Sequence, residues 1–167
     1  MNPIVVTTTP FQYAGPDIKQ YGDDANFNDA TCSSTSSSMP HGYDIVFEKD
    51  LVVGETVTLR ELVGVDALLH ILTPGQCAGA PACVASTDGS EDTGISYTAT
   101  AAGPVYLVVE SWGSATTGDF DIRIDSSRCG DGTLNSGEGC DDGNNVDGDC
   151  CSSTCNIEAA CQITGCT

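Results

Sequence analysis

Basic residues are scarce in this chain. Its 167 residues carry 5 Lys and Arg against 24 Asp and Glu, a formal charge of −19. A surface of that sign repels phosphate backbones, so nucleic acid is excluded as a partner and cations become the natural counter-charge. Long apolar runs are also missing. Nothing approaches the roughly 18 to 20 consecutive apolar residues of a membrane helix, and no membrane span is expected. No Cys-x-x-Cys pair occurs, which argues against zinc. Histidine is limited to His41, in a polar loop beside Pro40, and His70, between Leu69 and Ile71. No Ser-His-Asp spacing, Gly-x-Ser-x-Gly, His-Glu-x-x-His or phosphate loop is found, so no catalytic residue is expected and the chain reads as a non-enzyme. No segment shows a 3.6-residue apolar stripe, which removes helices from the expected fold.

Cysteine, by contrast, is plentiful. Ten in one short chain imply disulfides and an oxidising, extracellular compartment. The opening Met1-Asn2-Pro3 has neither a basic start nor an apolar core of a signal peptide. An exported protein with that opening implies a trimmed chain or a longer precursor.

Four segments follow from the changes in composition. Residues 1–10 hold an N-terminal strand, with β-branched Ile4, Val5, Val6, Thr7 and Thr8 as its body and Pro10 as its stop. Residues 11–41 are poor in apolar side chains and read as a linker or arm. Residues 42–126 alternate apolar and polar residues over short runs. Tyr43, Ile45 and Phe47 alternate with Asp44 and Glu48, and Val57 and Leu59 with Thr56, Thr58 and Arg60. Asp66–Leu72 and Pro104–Glu110 are nearly all apolar, Ile95 and Tyr97 share a face of Gly94–Thr100, and Phe120, Ile122 and Ile124 close the series. This period of two predicts an all-β fold, an antiparallel β-sandwich. Residues 127–167 form a separate cysteine-rich module. Tyr97, Tyr106 and Trp112 offer rings either for packing or for a sugar-binding face.

The runs Gly42-Tyr43-Asp44-Ile45-Val46-Phe47, Asp66-Ala67-Leu68-Leu69-His70-Ile71-Leu72, Gly103-Pro104-Val105-Tyr106-Leu107-Val108-Val109 and Gly118-Asp119-Phe120-Asp121-Ile122 resemble the bacterial pre-peptidase C-terminal domain and related jelly-roll-like sandwiches. That resemblance implies a non-catalytic appendage of a secreted protein, used for binding or scaffolding.

The tail is the most informative part. Between Gly130 and Asp149 stand six carboxylates and no basic residue. Like charges at that density repel unless a cation sits among them, and calcium takes six to eight oxygens from carboxylates, Asn side chains and carbonyls. The interspersed glycines let the chain turn tightly, and cystines hold a segment too small for a core of its own. Asp131, Glu138, Asp141, Asp142, Asn144, Asp147 and Asp149 are the expected Ca2+ ligands. The spacing does not fit an EF-hand.

Cys-Gly-Asp-Gly at 129–132, Gly-Glu-x-Cys-Asp-Asp-Gly-Asn at 137–144 and Gly-Asp-x-Cys-Ser-x-x-Cys at 148–155 resemble the myxobacterial-type cysteine-rich repeat, a calcium-linked extracellular domain of unknown function. One departure is Cys150, where the family commonly has Gly. Counting cysteines then suggests a scheme. Cys77 and Cys83 close a hairpin, Cys129, Cys140, Cys151 and Cys155 pair among themselves, and Cys150 takes Cys161. Cys32 and Cys166 remain, to pair within one chain or between two.

Two functions are compatible with these features. The first is a structural subunit that self-associates into a homopolymer by donor-strand complementation, its N-terminal strand completing a neighbour's sheet. A linker of residues 11–41 would span up to roughly 100 Å. The alternative is a monomeric adhesion or carbohydrate-binding module. Size at micromolar concentration separates the two: monomers by light scattering with no filaments by electron microscopy would remove the first.

Overall fold

The computed structural model describes residues 2–22, 42–64, 67–74, 83–88, 94–113, 117–135 and 138–159. They form an all-β sandwich. One sheet contains β1 (Ile4–Val5), β3 (Asp44–Leu51), β8 (Gly103–Ser111), β5 (Ala67–Leu72) and β6 (Cys83–Asp88), in that spatial order. The other contains β2 (Phe11–Gly15), β9 (Phe120–Ser127), β4 (Thr56–Val63) and β7 (Gly94–Thr98). All pairings are antiparallel except the short parallel contact of β1 with β3. Among the described residues, no helix is long and apolar enough to cross a membrane.

The alternation that predicted the strands also fills the core. Phe47, Leu59, Leu69, Leu107, Val109, Ile122 and Ile124 are completely buried between the sheets. Phe120 lies with them, and each such side chain contributes about 1.5–3 kcal/mol by leaving water. β5 reads as a continuous apolar run because both its faces are covered. Its outer face joins Val46, Leu72 and Val108 in a second, smaller cluster. Tyr97 packs against the main core and Tyr106 against the smaller cluster, so both rings serve packing.

The N-terminal segment differs from expectation. The strand proposed for residues 3–9 is only Ile4–Val5, continued by Val6 N–H donating to the Glu48 carbonyl at 2.8 Å. Thr7 and Thr8 lie outside it and are exposed. It pairs with β3 of its own chain, Ile4 opposite Phe47 and Val5 opposite Glu48. The segment read as a linker begins instead with β2, followed by a 3-10 turn at Ile18–Tyr21. The physical reason is a short alternation passed over in the sequence. Phe11 and Tyr13 point inward and set their rings 6.0 and 5.4 Å from Phe47, while Gln12 and Ala14 face out. β2 can lie flat on the sheet because Gly15 has no side chain; a Cβ there would enter the Phe120 ring. Ile18, fully buried, completes the seal. Asp17 adds a polar clamp, its Oδ1 accepting from the amides of Lys19 (3.2 Å) and Gly118 (3.0 Å).

Candidate functional site: the acidic cystine module

Strand β9 leads directly into the cysteine-rich module through Arg128. The module has almost no regular structure, with one isolated bridge between Cys151 and Ile157. Sulfur takes the place of a hydrophobic core. Cys129 is bonded to Cys155 and Cys140 to Cys151, with Cα separations of 5.5 and 5.7 Å. The four cysteines expected to pair among themselves do so, and Cys151 and Cys155 are the module's buried centre. Cys83 and Cys150 are disulfide-bonded as well. Cys32, Cys77, Cys161 and Cys166 lie outside the described residues. Cystines of this density belong to an oxidising compartment.

Asp141 organises the first loop. Its Oδ2 accepts from the amides of Gly130 (3.0 Å) and Asp131 (3.2 Å), and its Oδ1 from Gly132 (2.9 Å) and Gly143 (2.8 Å). Four donors converge on one carboxylate because Gly130 and Gly132 sit at φ near +80°. At Gly130 a Cβ would also strike Asn145 Oδ1 and the Asn144 backbone. Partial burial acts to raise the Asp141 pKa, but the hydrogen bonds from Gly143, Gly132, Asp131 and Gly130 outweigh it and hold the carboxyl below its ordinary value.

The other expected ligands behave differently. Asp131 accepts from Thr133 N (2.8 Å), Asp142 from Asn144 N (3.2 Å), and Asn144 Oδ1 from Val146 N (2.8 Å). These are local turns in which a side chain bonds the backbone two residues on. Asn144 Nδ2 donates to Asp149 Oδ2 at 3.1 Å. Asp147 accepts from Ser153 N at 2.7 Å, and hydrogen bonding by the Ser153 amide and hydroxyl lowers its pKa. Glu138 Oε2 accepts from Asn135 N at 2.7 Å, while its Oε1 is buried with no hydrogen-bond partner. Among the described residues, one group of three acid or cysteine side chains lies within a metal-sized span, 4.8 Å: the expected ligands Glu138 and Asp141 together with the Cys155 sulfur. That sulfur is in a cystine and offers no thiolate.

Two features were not foreseen. Glu158 closes the second loop, its oxygens accepting from Gly148 N at 2.9 and 2.8 Å and from Cys150 N at 3.2 Å. The only sequence signal was an isolated acid just after the last cysteine of the loop. Cys150, which stands where the resembling repeat commonly has Gly, keeps a glycine-like backbone at φ +104°. A side chain held there stores strain of about 1–3 kcal/mol.

The fold and this module together define a two-sheet β-sandwich carrying a cystine-stapled acidic appendage. Among solved structures the chain is similar to PliG of Aeromonas hydrophila, a periplasmic lysozyme inhibitor of g-type lysozyme. The two are 13% identical with a TM-score of 0.52, over 75% of this chain and 96% of that one, a likeness of fold. A pre-peptidase C-terminal domain of a Bacillus anthracis collagenase also aligns, at 11% identity and a TM-score of 0.41, over 75% of this chain and 93% of that one. No family model matches the chain, its cysteine-rich segment included, and no curated protein does.

Proposed function

We propose that the chain is a non-catalytic, exported structural building block whose N-terminal segment exchanges between copies. The cystines and the fold shared with a periplasmic protein support export. The observation that carries the assembly reading is the way residues 2–22 are attached. β1, β2 and the 3-10 turn complete both sheets through hydrogen bonds and apolar contact, and they connect onward through residues 23–41. Asp44 N–H donates to the Gly22 carbonyl at 2.9 Å, so the two ends of that connection are neighbours. The same surface therefore accepts the same segment from its own chain or from another. Those 19 residues reach about 60 Å when extended, enough to bridge two copies. Head-to-tail exchange builds filaments where the rotation between copies does not close into a ring. The test uses the β1–β3 register. In a chain carrying Val5→Cys and Glu48→Cys, a disulfide across that contact should give a ladder of covalent multimers on a non-reducing gel, with filaments under the electron microscope. Monomer bands alone, with monomers by light scattering, would end this reading.

We also propose that the appendage takes calcium at Glu138. The buried, partnerless Oε1 is a carboxylate oxygen removed from water and left uncompensated, which suits a hard cation. Asp141 has both oxygens committed to four amides and supplies charge rather than lone pairs. Backbone carbonyls and water would complete the shell. Calorimetry of the full chain with calcium should show binding that Glu138→Gln weakens about tenfold or more. An absence of binding, or the same affinity in the variant, would refute it.

A further inference from the structure

Two of the chain's five cationic side chains meet on one sheet. Arg60 on β4 and Arg123 on β9 stand directly opposite each other in register, on the solvent face of the second sheet. The same rung continues to Gln12 on β2 and Gly94 on β7. Like charges directly opposite on neighbouring strands repel. Arg123 is compensated by a two-pronged bond to Asp125, Nε to Oδ2 at 2.7 Å and Nη2 to Oδ1 at 2.9 Å. Arg60 is exposed and has no carboxylate partner among the described residues. Among the described residues, the rung thus retains one positive charge without an ion pair, in a protein of net charge −19.

This rung lies in a cleft of about 770 Å³ between the sheet face and the acidic module, which contributes Leu134 and Asn135. Arg128 lines an adjoining cleft that shares Thr9, Ser126, Ser127 and Asn135 with it, but Glu55 and Asp131 line that second cleft too and offset its charge, so the excess positive charge is confined to the first, where Asp125 stands against Arg60 and Arg123. Beside the arginines, hydroxyls pair across strands, Thr56 with Thr98 and Thr58 with Ser96, each at 2.8 Å. In each pair one O–H is used internally. The other remains free to donate, and both oxygens keep lone pairs.

We propose that this cleft binds an acidic carbohydrate, a sugar chain bearing carboxylate or sulfate groups. Arg60 would grip the oxyanion through its planar fork, Arg123 would add the guanidinium edge that Asp125 leaves open, and the Thr/Ser pairs would exchange hydrogen bonds with the sugar hydroxyls. The assembly proposed above is not required for this site.

Titration of the full chain, followed by amide chemical shifts, should compare an oligogalacturonate, a sulfated oligosaccharide and a neutral oligosaccharide of equal length. At least one acidic oligomer should bind about tenfold more tightly than the neutral one, with shifts on β4, β7 and β9. Arg60→Gln and Arg123→Gln should each weaken that binding about tenfold. Thr58→Val should weaken it less, with circular dichroism unchanged in all three. The proposal is overturned if neither acidic oligomer binds, if the neutral one binds equally, or if both arginine variants bind normally. It is also overturned if inorganic sulfate binds as tightly as the oligomers, which would make the cleft an anion site, or if Arg60→Gln abolishes self-association in a chain that binds no oligomer.

Discussion

A chain carrying Cys129→Ser and Cys155→Ser is expected to lose the folded structure of residues 129–158 while its sandwich stays intact. The two parts are held by different forces. The sandwich buries an apolar core shared by both sheets, and nothing in that core comes from the module. The module buries chiefly Cys151 and Cys155, and its exposed Leu134, Val146 and Ile157 add little. A segment without a core depends on restricting its unfolded state. By loop-closure entropy, the 26-residue separation of Cys129 and Cys155 is worth about 3.5 kcal/mol and the 11-residue separation of Cys140 and Cys151 about 3 kcal/mol. Either figure rivals the whole stability of so small a unit. Hydrogen exchange resolved by peptide should show rapid exchange across 129–158 in the variant, with β3, β8 and β9 protected as before. Equal protection of the module in both proteins would mean that its hydrogen bonds alone suffice.

Asp141→Asn is expected to open the first loop of the module, although it changes only one oxygen to an amide nitrogen. The aspartate oxygens accept four backbone N–H groups; an asparagine turns half of that acceptor surface into a donor facing donors. The amides of Gly130, Asp131, Gly132 and Gly143 should lose their exchange protection. Asp142→Asn is the internal comparison. Asp142 accepts a single amide, from Asn144 at 3.2 Å, and an asparagine can still accept it through its carbonyl oxygen. The two neighbouring substitutions should therefore differ sharply. Acid should imitate the first. The folded Asp141 carboxyl lies below its ordinary pKa, so the folded state binds its proton less readily than the unfolded chain does. Its stabilisation is present above the unfolded carboxylate pKa of about 3.9 and is lost as pH falls through the lower, folded value. Asp147, also lowered, shifts the second loop in the same sense. Protection factors of the module's amides, normalised to the intrinsic exchange rate at each pH, that are unchanged between pH 6 and pH 2 would contradict this account.

The strands of the sandwich were legible because burial on one face imposes a period of two. Ile45 and Phe47, Val57 and Leu59, and Ile122 and Ile124 each mark a face wherever the chain runs long enough to repeat. β2 was missed because five residues offer only two inward side chains, Phe11 and Tyr13, within a polar stretch. β6, Cys83–Asp88, was missed for a similar reason. Its alternation is among small and polar residues, and its place in the sheet comes from pairing with β5. In the module, the acids and cysteines were legible as a group, but their individual duties were not. Asp141 and Asp142 are adjacent and chemically identical, yet one gathers four amides and the other one. What separates them is the convergence of Gly130, Gly132 and Gly143 upon a single point. The arginine cleft was illegible for the same reason, since Arg60 and Arg123 are 63 positions apart and meet only through the register of β4 with β9.

Composition and local alternation determined the all-β character, the lack of a membrane helix and the concentration of acids with cysteines near the end. These properties depend on nearest neighbours and on charge totals, which a linear chain already contains. Tertiary structure alone decided that residues 11–21 complete the sandwich and that Cys129 joins Cys155 and Cys140 joins Cys151. It also decided that most of the acids serve backbone amides and that two scattered arginines face each other. Each of those outcomes rests on strand register or on loop convergence, where distances of a few ångströms between residues remote in sequence select the partner.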